Sequence, residues 1–147
     1  MRERRIYLDF NATTPIAPEV AAAINQVMAE PFGNPSSEPW AGFSARQAVE
    51  KARAQVATLL RCRSDEIVFT SGGSESNNHA LKGAFFAQGG RDGHIITTQV
   101  EHPAVLNPCA FLERLGASVT YLPVDRFGQV DPDNVRRALT SRTMLIR

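Results

Sequence analysis

The residues of this 147-residue sequence with the most chemical potential fall in one stretch, Ile67 to Leu81, IVFTSGGSESNNHAL. Ile67-Val68-Phe69 is a short apolar, β-prone run that breaks into Thr70-Ser71-Gly72-Gly73-Ser74. Leu81, Ala84 and Phe85 then recur on one side of a helical pattern. A strand that turns through glycine into a helix gathers unpaired backbone N–H groups at the helix N-terminus. That is an anion site, and small residues let a phosphate come close to the backbone. On its own, SGGS reads first as a tight turn at a helix cap. No Lys-Ser/Thr follows the glycines and no GxGxxG is present, so neither familiar nucleotide grip is expected.

Other reactive side chains are few. His102, in Val100-Glu101-His102, taken alone reads as a helix-start histidine bonded to a backbone group. Cys62 and Cys109 show no CxxC spacing, which argues against a disulfide framework or a zinc site. They read as small buried or half-buried residues. Lys51 and Lys82 fall on predicted helices as solvated faces, and His79 and His94 as ordinary helix and strand-start residues.

The elements that must position these groups follow from periodicity. Arg2 to Arg5 read as a solvated terminus, and Ile6–Phe10 as a weak strand. A helix starts near Pro18, carries Val20, Ile24, Val27 and Met28 on one face, and stops at Pro31. Residues 32–42 are loop; from Phe43 a long helix carries Ala45, Ala48, Val49, Ala52, Val56, Leu59 and Leu60 as its apolar stripe. Strands are predicted at Ile67–Thr70, His94–Thr98, Ser118–Leu122 and Thr143–Ile146. Between the last three lie a helix from Glu101-His102-Pro103 to Leu115, capped by Gly116, and a helix opened by Asp131-Pro132. Pro108 requires the first of these either to begin late or to have an irregular first turn. Strands alternating with helices predict an α/β fold with a mainly parallel sheet and ligands at the strands' carboxyl ends. That rule puts Ser71–Ser74 near Gln99–His102. The chain stops in an apolar strand and reads as the first part of a longer one.

Composition is that of an ordinary globular domain, 43% hydrophobic and 21% charged. A net charge of +1 offers no bulk attraction to nucleic acid or to an acidic membrane surface. No apolar run approaches the ~20 residues of a membrane span. The N-terminus lacks the apolar region of a signal peptide, which makes a cytoplasmic location the default.

Taken together, YLDFNATTP at 7–15, FGNPSS at 32–37, EIVFTSGGSESNN at 66–78 and TTQVEHPAVL at 97–106 resemble the NifS/IscS-type cysteine desulfurases. These are pyridoxal-phosphate (PLP) enzymes of the class V aminotransferase group, with an aspartate-aminotransferase-like fold. The resemblance implies that residues 1–15 pack toward a small domain and that 16–147 form the first, incomplete part of the PLP-binding large domain. Gly73 and Ser74 would hold the cofactor phosphate, serine replacing the usual threonine. His102 would stack on the pyridine ring and take part in proton transfer as the catalytic residue. Asn11, Ala12, Thr13 and Asn34 would lie near the substrate entrance, although Glu38-Pro39-Trp40 replaces the histidine many members carry after the serines. No metal is implied.

The family's cofactor-binding lysine, the aspartate that pairs with the pyridine nitrogen and the sulfur-accepting cysteine would lie beyond Arg147. The 147 residues alone are therefore expected to be inactive. The resemblance implies a homodimer that converts L-cysteine to L-alanine and an enzyme persulfide, passing sulfur to an iron–sulfur scaffold or another acceptor. A selenocysteine lyase, a class V aminotransferase or a catalytically dead association fragment are the alternatives.

Overall fold

The computed structural model describes residues 6–29 and 33–147, which form two compact units, 1–68 and 69–147. The expected basic start at Arg2 to Arg5 and the stop at Pro31 lie outside the described residues.

In the first unit, α1 spans Pro18–Ala29 and α2 spans Pro39–Leu60, followed by a 3-10 turn at Ser64–Glu66. The predicted apolar face of α1 forms, but Val20, Ile24, Val27 and Met28 are all exposed. Helix α2 begins four residues before Phe43 because proline suits the first turn. It ends where Arg61 turns left-handed at φ 56° and its N–H bonds back to the last turn. Ala57 is buried, whereas Leu59 and Leu60 of the predicted stripe are exposed. The loop before α2 is tied to it. Arg46 donates to the Pro35 and Ser37 carbonyls at 2.9 and 2.7 Å, and a side chain at buried Gly42 would collide with the Asn34 carbonyl.

In the second unit the order is α3 (Gly73–Ala87), β1 (His94–Thr98), α4 (Pro103–Glu113), β2 (Ser118–Leu122), α5 (Pro132–Ala138) and β3 (Thr143–Ile146). The three strands have the predicted bounds and form one parallel sheet in the order β2-β1-β3. Pairing of β1 with β2 runs from His94–Ser118 to Thr98–Leu122. Leu81 and Phe85 of α3, Ile95 of β1, and Val105, Cys109 and Leu112 of α4 make the core. Each large apolar side chain buried there contributes about 1.5–3 kcal/mol. Helix α4 runs through Pro108, forgoing one internal hydrogen bond, and Asp131 caps α5 by accepting the Asp133 N–H at 2.9 Å.

Two predicted strands are corrected. Ile67–Thr70 carries no ladder, although Ile67 is extended at φ −93°, ψ 125°. Val68 and Phe69 are exposed, and both edges of β1 are already taken by β2 and β3. A β-prone run becomes a strand only when a neighbour supplies the other half of its hydrogen bonds. The weak strand at Ile6–Phe10 is likewise absent; an exposed turn stands there, with the Ala12 N–H donating to the Asp9 carbonyl at 3.1 Å.

Candidate functional site

Helix α3 starts at Gly73 behind Gly72, which offers no side chain to cap it. A Cβ added to either glycine would meet nothing within 4 Å, so the first turn is open to an approaching group. Gly72 itself has an extended backbone (φ 162°), so it is the open approach rather than an unusual torsion that glycine serves here. The residues before and after are pinned. Glu75 reaches back with Oε2 to accept both the N–H and the hydroxyl of Ser71, each at 2.6 Å. Those bonds, the hydroxyl's above all, hold the Glu75 carboxyl below its ordinary value. The Thr70 and Ser76 hydroxyls lie 2.6 Å apart and each approaches the Gly72 carbonyl at 3.2 Å.

His102 caps α4. Its Nδ1 accepts the Ala104 N–H at 3.0 Å, the backbone bond expected of a helix-start histidine. In the neutral ring the proton then resides on Nε2, which is left as the free functional atom. Ahead of it, Glu101 is held by the Thr98 hydroxyl at 3.3 Å and by Arg147 at 3.6 Å.

Ser74 and His102 line one groove of about 410 Å³ that runs between α3 and α4 from their N-terminal ends. Asn78 and Lys82 continue the α3 wall and Ala104, Asn107 and Phe111 the α4 wall. Lys82 is half-buried with its ammonium 4.9 Å from the Phe111 ring centre, not the solvated lysine expected. Sequence reading missed this wall, yet 74, 78 and 82 stand four apart, the spacing of one helical face. Gly73 precedes Ser74 in the same turn. Asn11, Ala12, Thr13 and Asn34 belong to the first unit. Asn34 caps its own turn, its Oδ1 accepting the Ser36 N–H at 2.9 Å.

A family model described as aminotransferase class-V matches residues 6–147. The chain belongs to that family.

Among its class V relatives, a cysteine desulfurase IscS of Dictyoglomus turgidum is 54% identical over 98% of this chain and 36% of its own length. A solved structure titled SspA in complex with cysteine has 40% identity and a TM-score of 0.85, over 95% of this chain and 40% of its own. Another, a NifS-like protein, has 37% identity and a TM-score of 0.87, over 97% of this chain and 39% of its own. The chain thus spans a little over a third of the length of such relatives. The α/β fold with its small parallel sheet is that of these class V proteins.

Class V relatives of the desulfurase type are PLP enzymes, and the residues present fit part of that cofactor. An uncapped helix start with glycines and a serine suits a phosphate, and an imidazole in the same groove suits an aromatic ring. Cys109 is fully buried, and burial raises its thiol above its ordinary value, which disfavours the thiolate a nucleophile requires.

Proposed function

We propose that this chain carries the phosphate- and ring-holding part of a PLP-dependent cysteine desulfurase. The observation that carries this reading is the shared groove: Ser74 and His102, distant in sequence, line it together at the carboxyl end of β1. In this role the N–H groups of Gly73 and Ser74 and the Ser74 hydroxyl bind the phosphate, favoured by the α3 dipole. His102 lies against the ring and can hold or release a proton at Nε2. When bound, PLP supplies an electron sink for charge developing on the substrate.

L-Cysteine is the proposed substrate, supported by the names of the relatives and by the cysteine in the SspA title. The expected products are L-alanine and a persulfide on an enzyme cysteine other than Cys62 and Cys109. The sulfur then passes to an iron–sulfur scaffold or another thio-acceptor. A cytoplasmic homodimer is proposed for the whole protein. Residues 1–15, including Asn11, Ala12 and Thr13, are proposed to pack toward its small domain, and Asn34 to lie by the substrate entrance.

The test is alanine and sulfide release from L-cysteine with PLP present. Protein of the length its gene encodes is compared with a polypeptide of these 147 residues. A longer protein that makes both products, and a 147-residue chain that makes neither, is the expected result. A longer protein that consumes selenocysteine or transfers amino groups while leaving L-cysteine intact would contradict the desulfurase reading.

A further inference from the structure

The geometry points to Glu75 as a positioning residue for the phosphate turn, a role that rests on the reading of Ser74 as a phosphate ligand. A carboxylate in the first turn of a helix normally satisfies that helix's own N–H groups and would compete with an incoming anion. Glu75 instead reaches back out of the helix. Its Oε2 is occupied by two donors from Ser71, the residue on the far side of the two glycines. The carboxylate therefore closes the turn from outside while no side chain caps the α3 start.

What this achieves is preorganisation. Residues 71–73 include two glycines whose side-chain space is empty, so no side chain of their own anchors them. The Glu75–Ser71 pair and the Thr70–Ser76 hydroxyl pair span them, and the Gly72 carbonyl accepts the Ser76 N–H at 3.0 Å. A turn fixed in advance spares the ligand the entropy of ordering it. The Ser71 bonds lower the Glu75 pKa, which favours the ionised carboxylate that accepts them.

Two opposite expectations make this testable. A carboxylate that merely repelled the phosphate would, on removal, tighten anion binding. A positioning carboxylate would, on removal, loosen it. The experiment titrates PLP, pyridoxal and inorganic phosphate against wild type, Glu75→Ala, Glu75→Gln and Ser74→Ala, in protein of the length its gene encodes. Thermal melting is followed alongside. Glu75→Ala should weaken PLP and phosphate about tenfold and leave pyridoxal unchanged. Glu75→Gln retains an acceptor for Ser71 and should recover affinity to within about twofold of wild type. Tighter or unchanged PLP binding by Glu75→Ala overturns the role, as does an equal loss for PLP and pyridoxal, which marks general support of the fold. If wild type binds PLP no better than pyridoxal, or Ser74→Ala binds PLP as tightly as wild type, the phosphate assignment falls and the Glu75 role with it.

Discussion

Nδ1 of His102 accepts the backbone N–H of Ala104 at 3.0 Å, so one side chain both starts α4 and lines the groove shared with Ser74. The bond fixes the ring and assigns its tautomer. Nitrogen NMR should find His102 protonated on Nε2 when neutral; a proton on Nδ1 would contradict the bond.

The two roles of His102 can be separated by substitution. His102→Ala should lower stability by about 0.5–2 kcal/mol through loss of the cap. His102→Asn should restore most of that, since asparagine caps well, without restoring PLP affinity. Denaturant melts and PLP titrations on both variants check this, and recovery of PLP binding by asparagine would show that only the cap matters.

His94 ties all three strands together. Its Nδ1 lies 2.9 Å from Thr143 Oγ1 and its Nε2 2.8 Å from Thr120 Oγ1, with the residue 3% exposed. Burial, with a smaller contribution from Arg142, lowers its pKa from the ordinary 6.5. The unfolded chain therefore binds a proton that the folded chain resists. Stability should be full above about pH 6.5 and fall as the pH drops through it, levelling only below the folded value. Urea midpoints should decrease from about pH 7.5 to about pH 5 with wild type, with a flatter profile in His94→Gln. Identical profiles would remove the assignment.

Cys109, with no exposure and a raised thiol pKa, should resist alkylation in the folded protein, whereas half-buried Cys62 should react first. Mass spectrometry after brief iodoacetamide treatment decides it. Phe85→Ala, at the fully buried centre of the same core, should cost about 3–5 kcal/mol.

The legible parts of this fold are those set by local pattern. The bounds of β1, β2 and β3 follow from β-branched and apolar runs that pair with each other, and Asp131-Pro132 announces α5. Ile67–Thr70 has the same composition but lacks a neighbour, which no local pattern reveals. Leu59 and Leu60 continue the apolar period of α2 and are nevertheless exposed, because period states which face a residue occupies and not what covers it. At the candidate site, motifs single out Gly73, Ser74 and His102, and the structure brings Ser74 and His102 to one groove. The place of Lys82 over Phe111, and the return of Glu75 to Ser71, depend on helix packing and on the path of a turn.

If Ser74 and His102 hold the two ends of one cofactor, a paired titration of PLP and inorganic phosphate separates their contributions. Ser74→Ala should weaken both ligands by about tenfold or more, through loss of a hydrogen bond to a charged acceptor. His102→Ala should weaken PLP while leaving phosphate unchanged. Wild-type affinity for PLP in both variants would show that neither residue holds the cofactor.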